Sequence, residues 1–498
     1  MSTATAQAAP DWSPPTPLPA TWATASLGFD GTGTQTAGHV DLISLSPLVT
    51  RVGLATRGLD GAYTEQLGLD STPGDAPVTA EVAVAPNGAA AACVVRLVGP
   101  DLATAKQRYT ATYRPAGSST WESPELLGED VAKGSSQPCR PVIGPGGTAA
   151  VSFEPLTNVP PPFQEHVSQV RLAVHPPGGG WSTTSLSTSG LDAEFARIAV
   201  DAADTVTVGW RERYAGAATA DKADDKYAIR ARLRNASNGV LGATQNVMGS
   251  DTGIASTPSL AVGPDGRAII AWQWSRAEPQ VWTAERSSAS GSFAAPSQLI
   301  ADGTATSSFP LAVGMSPGGT SHVLFEYGGA NSSQDYVGLV RRPPGGSFTA
   351  PTAASPKNTG PLAGQLAFLG SDAFAAYAGT FAGGGPSTTI LQGVRWGANS
   401  PSFDGFRDLL APPAGADLRD AKADNDGSVV VTYTTPADGR AGVVAYDGGA
   451  PKLLSASVPP AASTGVAVAL SATFADAWSS VEPTRWDFGD GTPGATGN

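Results

Sequence analysis

One turn recurs along almost the whole chain: an apolar run ends in a turn rich in Gly, Pro, Asp and Asn, and a second apolar run follows. The clearest copies are SLAVGPDGRAIIAW at residues 259–272 and VAVAPNGAAAACVV at residues 82–95. Eight residues mark the equivalent position of this turn: Gly31, Gly88, Gly147, Asp204, Gly266, Gly319, Asp372 and Gly427. They are 53 to 62 residues apart. A sustained period near 50 residues with strand-like content is typical of a β-propeller or a related repeat array.

A second element recurs within the units: an aromatic residue that follows a turn rich in Gly, Ser or Pro, as in HPPGGGW at residues 175–181. Its copies are Tyr63, Trp121, Trp181, Phe293, Phe348 and Phe403. One unit therefore consists of strand, PDG-type turn, strand, variable loop, strand, Gly-rich turn and strand, which is the four-stranded antiparallel blade of a propeller. The turn residues suit tight hairpins because they accept positive φ. The strands are nearly continuous apolar runs, as expected for sheets covered on both faces.

Eight such units fit between residues 23 and 457, although the seventh lacks the Gly of its turn, and seven blades are the alternative. The Pro-rich segment 1–22 contains DWSPPTPLPA at residues 11–20, which resembles the last strand of other units. This segment is a candidate ring-closing outer strand that would pair with the last blade. A competing candidate is KLLSAS at residues 452–457, which has the pattern of an outer strand belonging to the last unit itself.

The composition excludes several classes of protein. The 498 residues include 60 Gly and 42 Pro, and only 15% are charged, which favours many short strands and turns over long helices. The formal net charge is −13, and no Lys/Arg cluster exceeds two adjacent residues, so nucleic acid and anionic membranes are poor partners. No apolar stretch is long enough to span a membrane, and we expect no membrane insertion. The fold class is therefore all-β.

The repeat stops at residue 458. The segment 458–498 contains WDFGDGTP at residues 486–493, preceded by Asp476 and Trp478. The motif residues are Trp486, Asp487, Phe488, Gly489, Asp490 and Gly491. The segment resembles the first half of a PKD domain, which implies an immunoglobulin-like β-sandwich that is incomplete within these residues. The resemblance also implies a bacterial secreted protein, because PKD modules are non-catalytic spacers or adhesive modules of surface proteins and extracellular enzymes.

Two cysteines and the N-terminus bear on the cellular location. Cys93 lies in the second strand of one unit and Cys139 begins the first strand of the next, so the two thiols are candidates for a disulfide in an oxidising compartment. The alternative is two small buried apolar side chains. TATAQAAP at residues 3–10 has Ala-x-Ala patterns like the end of a secretory signal, or is an ordinary Ala-rich terminus. We expect a secreted or cell-surface protein whose signal peptide is absent from this sequence.

Few residues have the spacing of a catalytic or metal site. The four histidines show no metal-ligand spacing: His39, His166, His175 and His322. We expect no cofactor, with Ca²⁺ held open because the polar loop 215–227 carries Asp221, Asp224 and Asp225; the alternative is a solvated loop. Seven carboxylates are candidates for paired acid–base catalysis, and no spacing selects any two of them: Glu154, Glu165, Asp192, Glu194, Glu212, Glu326 and Asp335.

The variable loops and some tryptophans predict a binding surface. Loops 160–166 and 328–336 occupy the same place in their units, so they open on one rim of the ring, where propellers usually bind ligands. Trp210 and other tryptophans at shared strand positions are predicted to pack between blades. Trp274 and Trp282 flank a short loop and are the least core-like, so they are the predicted sugar-binding residues.

These features favour a non-catalytic extracellular recognition or adhesion protein. In this hypothesis the propeller is a rigid platform for polysaccharide or a surface protein, and the PKD module is a spacer. One alternative is an extracellular polysaccharide lyase or glycoside hydrolase on a propeller scaffold, which requires carboxylates, or a Tyr/His/Arg set, that converge at one rim. A second alternative is a structural component of a surface layer or appendage. The sequence does not indicate an oligomeric state.

Overall fold

The computed structural model describes residues 11–486 and 495–497 with internal gaps. The gaps are residues 46–47, 60, 70–74, 100–103, 132–137, 159–165, 214–225, 249–253, 276–279, 300–306, 329–334, 358, 382–387, 401, 411–415, 425–426, 436–438, 458, 460–469 and 479–483. Within the described residues every regular element is a β-strand.

The strands form eight four-stranded antiparallel blades arranged in a ring. The first strand of each blade contacts the first strand of the next, and the first strand of blade 8 contacts that of blade 1. The first strands therefore form the inner ring of a propeller and the fourth strands its outer edge. The predicted all-β propeller with eight blades is confirmed, and the seven-bladed alternative is wrong.

The bounds of the strands follow the predicted repeat. Blade 1 contains Trp22–Phe29, Gln35–Leu45, Leu48–Arg57 and Thr64–Leu69; blade 2 contains Asp75–Val84, Ala90–Val98, Lys106–Arg114 and Glu125–Glu129; blade 3 contains Arg140–Ile143, Ala149–Phe153, Arg171–His175 and Ser182–Ser185; blade 4 contains Ala193–Val200, Val206–Arg213, Tyr227–Arg234 and Gln245–Asn246. A small extra hairpin, Leu156–Asn158 with His166–Ser168, extends blade 3.

The second half of the ring has the same plan. Blade 5 contains Ile254–Ala255 and Ser259–Val262 as its split first strand, then Ala268–Ser275, Gln280–Arg286 and Ser297–Gln298; blade 6 contains Ser307–Met315, Ser321–Gly328, Tyr336–Arg342 and Thr352–Ala353; blade 7 contains Thr359–Leu369, Asp372–Phe381, Thr388–Trp396 and Arg407–Asp408; blade 8 contains Asp417–Ala423, Val429–Thr434 and Ala441–Asp447. Two further strand pairs follow the ring: Lys452–Ser457 with Ser471–Ala475, and Thr484–Trp486 with Ala495–Gly497.

The outer strand of blade 8 comes from the other end of the chain. Asp11–Trp12 and Thr16–Pro17 pair with Ala441–Asp447. The ring is thus closed by hydrogen bonds between the two ends of the propeller, and no open sheet edge is left at the junction. The interpretation of 452–457 as the last blade's outer strand is wrong, because this segment pairs with Ser471–Ala475 instead.

The turns between first and second strands are bonded to one another around part of the ring. The Gly31 N–H donates to the Pro86 carbonyl at 2.8 Å, linking blades 1 and 2. In blade 4, Asp204 takes the place of the usual glycine with φ 63°. Its carboxylate accepts the N–H groups of Gly146 (3.0 Å) and Thr148 (3.3 Å) in blade 3. Asp204 therefore replaces glycine because its side chain joins two blades, which offsets the strain of a left-handed backbone.

The seventh turn differs from its predicted form. Gly370 has φ 56°, and Leu369 pairs with Asp372, so the hairpin has two loop residues, Gly370 and Ser371. The prediction that this unit lacks a turn glycine, with Asp372 at the turn position, is wrong. Asp372 begins the second strand, and its carboxylate binds the Arg395 guanidinium at 2.6 Å.

Buried cations explain the recurring aromatic residues. In blade 2 the Arg114 guanidinium lies over the Trp121 ring at 5.2 Å and donates to Thr36 Oγ1 of blade 1 (3.1 Å) and to the Gly88 carbonyl of its own first turn (3.3 Å). The same three partners recur in blade 5: Arg286 with Phe293, Thr207 and Gly266. Each such arginine binds its own blade to the preceding one. The aromatic residue of the repeat covers the cation and shields it from water.

A disulfide adds a covalent link between blades. Cys93 and Cys139 are bonded, with their Cα atoms 6.1 Å apart, and both are fully buried. They lie beside Tyr109 and Phe153 in one apolar cluster that spans blades 2 and 3. The bond therefore fixes the interface that these side chains form.

The segment after the ring contacts the propeller. The Trp478 indole N–H donates to Asp424 of blade 8 at 2.9 Å, and the Arg57 guanidinium of blade 1 lies 5.8 Å from the Trp478 ring. Lys452 Nζ also donates to the Thr32 carbonyl of blade 1 at 2.8 Å. These contacts place Lys452 and Trp478 against the ends of blades 8 and 1.

The buried arginines should contribute measurably to stability. Substitution Arg114→Met removes two hydrogen bonds from a charged donor and leaves Thr36 and the Gly88 carbonyl with one partner fewer. We expect the free energy of unfolding to fall by about 2–3 kcal/mol, measured by equilibrium denaturation. Arg108→Met is the matched control, because Arg108 pairs with Glu129 at a partly exposed position, and we expect a change within about 0.5 kcal/mol. Equal effects of the two substitutions would contradict the proposed link between blades.

Candidate functional site

Antiparallel strands divide the propeller into two ends. Turns between first and second strands and between third and fourth strands lie at one end, which we call the turn face. Connections between second and third strands and between blades lie at the other, which we call the loop face. The longest connections are on the loop face, as predicted for loops 160–166 and 328–336, whose central residues lie outside the described residues. The candidate carboxylates near this face differ in the groups that each one contacts.

Two of the candidate carboxylates hold the backbone or a neighbouring cation. Glu154 is buried, and its carboxylate accepts the N–H groups of Phe195 at 3.0 Å and Ala196 at 2.6 Å. Glu194 is paired with the Arg211 guanidinium. The partners of both carboxylates are groups of the protein itself. We therefore assign Glu154 and Glu194 to the packing of blades 3 and 4.

Asp192 and Glu212 have similar structural roles. Asp192 accepts the Ser168 N–H at 2.9 Å. Glu212 is buried and accepts from the Thr188 N–H at 2.9 Å and from the Trp210 indole N–H at 3.2 Å. Both carboxylates therefore fix connections of blades 3 and 4. A fifth candidate, Glu165, lies outside the described residues.

Glu326 and Asp335 remain, and they belong to the same hairpin. Glu326 lies near the end of the second strand of blade 6, and Asp335 immediately precedes the third strand. Glu326 pairs with Val337 in the ladder, so Asp335 is two residues before the cross-strand partner of Glu326. Successive side chains alternate between the faces of a sheet, which places the two carboxylates diagonally on one face, about 7–8 Å apart at the backbone.

This face of blade 6 is directed at blade 7. Leu324 and Val337 pack on the same side of the sheet, in an apolar cluster with Tyr377 of blade 7. The Asp335 carbonyl accepts the Thr359 N–H of blade 7 at 3.1 Å. The carboxylate pair therefore lies at the loop-face end of the junction between blades 6 and 7.

The surroundings of Glu326 favour its protonated form. Its two cross-strand neighbours, Phe309 and Val337, are apolar. Burial raises the pKa of the Glu326 carboxyl, and the nearby Asp335 carboxylate raises that pKa further. Within the part of the chain that the structure describes, no hydrogen bond or ion pair holds the Glu326 carboxylate. Two neighbouring carboxyl groups with different pKa values are an arrangement used for general acid–base catalysis.

Aromatic rings lie on the opposite side of the same hairpin. Tyr327 and Tyr336 are cross-strand partners whose rings stack with their centroids 4.7 Å apart, and both are half-buried. Tyr327 packs toward blade 5 with Phe325 and Val323. The tyrosine pair stiffens the base of the 329–334 loop, which connects the two strands that carry the carboxylates.

The two predicted tryptophans lie at a packed interface between blades. Trp274 is only 2% exposed and lies in an apolar cluster with Ile229 and Trp272 between blades 4 and 5. Trp282 is half-buried, packs against the same cluster, and has its ring centroid 4.9 Å from that of Trp274. The prediction fails for Trp274 because its ring is enclosed by the neighbouring blade and has no face free for a sugar. The short loop between the two strands concealed this burial at the level of sequence.

Charged residues on the inner strands neutralise one another. Lys422 Nζ in blade 8 lies 2.8 Å from an Asp420 carboxylate oxygen and donates to the Leu27 carbonyl of blade 1 at 2.8 Å. Burial raises the pKa of Glu81 in blade 2, and the positive charges of Lys422 and Arg140 lower it. These groups connect the inner strands of neighbouring blades, so we assign them to the stability of the ring.

The remaining predicted sites have the following positions. His39 and His322 are buried, and burial lowers the pKa of both, that of His322 to about 4. Among the described residues no group of three or more His, Cys, Asp or Glu side chains could hold a metal ion.

The aspartates proposed for Ca²⁺ and most of the PKD motif lie outside the described residues: Asp221, Asp224, Asp225, Asp487, Phe488, Gly489, Asp490 and Gly491. Trp486 ends the strand Thr484–Trp486, and no described helix is long and apolar enough to cross a membrane.

Several solved protein structures are similar to this chain in fold. No protein-family model and no curated protein matches the sequence. A polysaccharide lyase described as an ulvan lyase is 9% identical over 71% of this chain and 89% of its own, with a TM-score of 0.42. The β-propeller domain of the Trilobed protease from Pyrococcus furiosus is 8% identical over 78% and 98%, with a TM-score of 0.39. An α-L-arabinofuranosidase from Fusarium graminearum is 12% identical over 64% and 93%, with a TM-score of 0.33.

The comparison corrects the main functional hypothesis. The sequence favoured a non-catalytic recognition or adhesion protein, and this interpretation is not upheld: the propellers of similar fold with a named carbohydrate activity are a lyase and a glycosidase, and at this identity the likeness is one of fold. The hypotheses that remain from the sequence are a polysaccharide lyase or glycoside hydrolase and, as the second alternative, a structural component of a surface layer or appendage. The requirement of the enzyme, carboxylates that converge near one face, is the feature that the blade 6 hairpin presents.

The raised pKa of Glu326 predicts a pH-dependent stability. The folded state holds this proton more tightly than the unfolded state, whose carboxyl has the ordinary pKa of 4.5, so the ionised side chain opposes folding. The free energy of unfolding is therefore lowered as the pH rises from 4.5 through the folded-state pKa. Glu326→Gln removes this effect, and we expect the variant to match the parent near pH 4 and to be more stable at pH 7 in urea unfolding. The same gain at both pH values would contradict the raised pKa.

Proposed function

We propose that this protein is a glycoside hydrolase that cleaves a polysaccharide at the loop face of blades 6 and 7. The observation that carries the proposal is the diagonal pair of Glu326 and Asp335, in which burial and the neighbouring carboxylate raise the pKa of Glu326. Glycoside hydrolysis generally requires two such groups, one to donate a proton and one to act as a base or nucleophile. Polysaccharide is the partner class that the sequence also favoured.

The two carboxylates have different roles in the proposed reaction. Glu326 donates its proton to the glycosidic oxygen as the bond from that oxygen to the anomeric carbon breaks. Asp335 accepts a proton from a water molecule whose oxygen forms the new bond to the anomeric carbon. Because water attacks the anomeric carbon directly in this scheme, the reaction inverts the anomeric configuration.

The hydrolase is favoured over the lyase by the charges around the pair. A lyase removes a proton next to a sugar carboxylate, and a nearby cation must stabilise the charge that develops there. The charged group that affects Glu326 is another carboxylate, Asp335, and no described cation has an effect on its pKa. This environment repels an anionic reaction centre and suits a positively charged, oxocarbenium-like one.

We also propose that the protein is secreted, that it is bacterial, and that residues 458–498 begin a PKD module after a propeller at 23–457 with the outer strand from 1–22. The buried disulfide between Cys93 and Cys139 supports an oxidising compartment. An external location would give the enzyme access to large polysaccharides. The pairing of Lys452–Ser457 with Ser471–Ala475 supports a second module whose first strand overlaps the end of the propeller range.

The proposal is tested by assaying release of reducing ends from a panel of neutral and acidic polysaccharides. We expect Glu326→Gln and Asp335→Asn each to lower the rate of the cleaved substrate by about 10²–10⁴-fold, because each removes one acid–base group. Asp417→Asn is the matched control, since Asp417 is an exposed carboxylate at the loop face of blade 8. Nuclear magnetic resonance of the first product formed is expected to show the inverted anomer.

Two results would contradict the hydrolase. Cleavage that persists at the parental rate in Glu326→Gln would place the chemistry elsewhere. Elimination would instead give products with an unsaturated sugar, which are detected by their ultraviolet absorbance. The protein would then be a lyase.

A further inference from the structure

A cleft of about 270 Å³ opens on the turn face between blades 5 and 6. Its walls carry Arg267 from the first turn of blade 5, Glu285 from its third strand, and Arg342 from the third strand of blade 6. Three hydroxyl side chains complete the polar lining: Ser287, Ser292 and Ser321. The cleft lies at the opposite end of the propeller from Glu326 and Asp335, so it is separate from the proposed catalytic site.

The same junction is filled between blades 2 and 3. Arg114 and Arg286 make the same contacts in their blades, so they occupy equivalent positions. The residues just before them, Tyr113 and Glu285, are therefore also equivalent. Tyr113 is buried in an apolar cluster with Ala89, and its hydroxyl donates to the Gly147 carbonyl at 3.0 Å.

Ala89 follows the first-turn glycine of blade 2 and corresponds to Arg267. The cleft therefore results from two substitutions in the repeat, each of which replaces an uncharged side chain with a charged one. A space that the repeat closes elsewhere with a tyrosine is here left open and lined with charges.

Polar atoms in the cleft have unused bonding capacity. Arg342 Nη1 lies 3.1 Å from one oxygen of Glu285, and the other oxygen of Glu285 is buried with no hydrogen-bond partner. Arg286 is 1% exposed, and its Nη1 atom is also buried without a partner. Such atoms also occur at other buried positions of the described residues, and these two are distinguished by belonging to residues that line an open cleft. Three guanidinium groups and one carboxylate line the cleft, and Arg267 is also paired with Asp265 at 2.6 Å, which leaves one positive charge in excess among these five groups.

We propose that this cleft binds an acidic sugar unit, a pyranose that carries a carboxylate. The guanidinium groups of Arg267 and Arg342 suit a carboxylate because they offer charged, paired N–H donors. The unpartnered Glu285 oxygen accepts a hydrogen bond from a sugar hydroxyl, which a simple inorganic anion lacks. The volume is slightly below that of pockets for drug-sized ligands and suits a single sugar unit. The cleft would hold an acidic polysaccharide chain at a distance from the site of cleavage.

The test is isothermal titration calorimetry with D-glucuronate, D-glucose and sodium sulfate as separate probes. We expect saturable binding of glucuronate at least about 10-fold tighter than that of glucose or sulfate, since each lacks one half of the recognised chemistry. The double substitution Arg267→Ala with Glu285→Tyr installs the residues found at the filled junction of blade 2, and it is expected to abolish binding. Arg267→Gln alone is expected to weaken binding at least 10-fold while leaving the space open.

Glu326→Gln serves as the matched control that separates this proposal from the hydrolase. Glucuronate binding unchanged in Glu326→Gln, and lost in Arg267→Gln, supports the cleft whatever the outcome of the cleavage assay. Equal affinity for sulfate would show a general anion site, and equal affinity for glucose would show that the charge is not recognised; either result overturns the proposal. Absence of glucuronate binding to the parent protein also overturns it.

Discussion

A buried guanidinium at the end of a third strand is the interaction on which the turn face depends. In blades 2 and 5 it binds the carbonyl of its own first turn and a threonine hydroxyl of the preceding blade. Burying a cation costs free energy unless hydrogen bonds compensate for the lost water, so the groups that accept these bonds are held in position. The aromatic residue that covers it is fixed for the same reason. The repeat of cation and aromatic ring is therefore a repeat of contacts between blades.

This constraint separates the two ends of the ring. The turn face is tied by arginines, by the Asp204 carboxylate and by turn-to-turn hydrogen bonds, and it follows the repeat closely. The loop face has no such requirement, and its connections vary in length from blade to blade. Variation that would break the ring at one end is accommodated at the other, which is where a carboxylate pair can be introduced without loss of fold.

The architecture was predictable from sequence because its signals are local. A glycine that accepts positive φ and the apolar runs on either side of it are visible in any one unit, and their period gave eight blades. The positions of side chains across strands were not predictable in the same way. Glu326 and Asp335 are nine positions apart, and only the register, with Glu326 opposite Val337, places them on one face. Side chains alternate between the two faces of a strand, so counting residues outward from each end of the loop 329–334 places both on one face. This count is the one sequence signal that could have selected them.

The errors have related physical causes. Trp274 looked exposed because it borders a loop, but the neighbouring blade covers it. The segment 452–457 looked like an outer strand because the chain order suggested it, whereas the ring is closed by the N-terminal strands. In each case a contact between distant parts of the chain overrode the local pattern. Asp204 is the converse, since a residue that looked like a weak copy of the turn proved to be a link between blades.

The proposed hydrolase depends most directly on where a substrate binds. The decisive measurement is a crystal structure of the Glu326→Gln variant with an oligosaccharide taken from the polysaccharide that the parent protein cleaves. We predict a sugar chain across the loop face at blades 6 and 7, with a glycosidic oxygen within hydrogen-bond distance of the side chain at position 326 and the anomeric carbon on the side of Asp335. A sugar chain bound across the inner strands or at another pair of blades, with no contact to either residue, would contradict it.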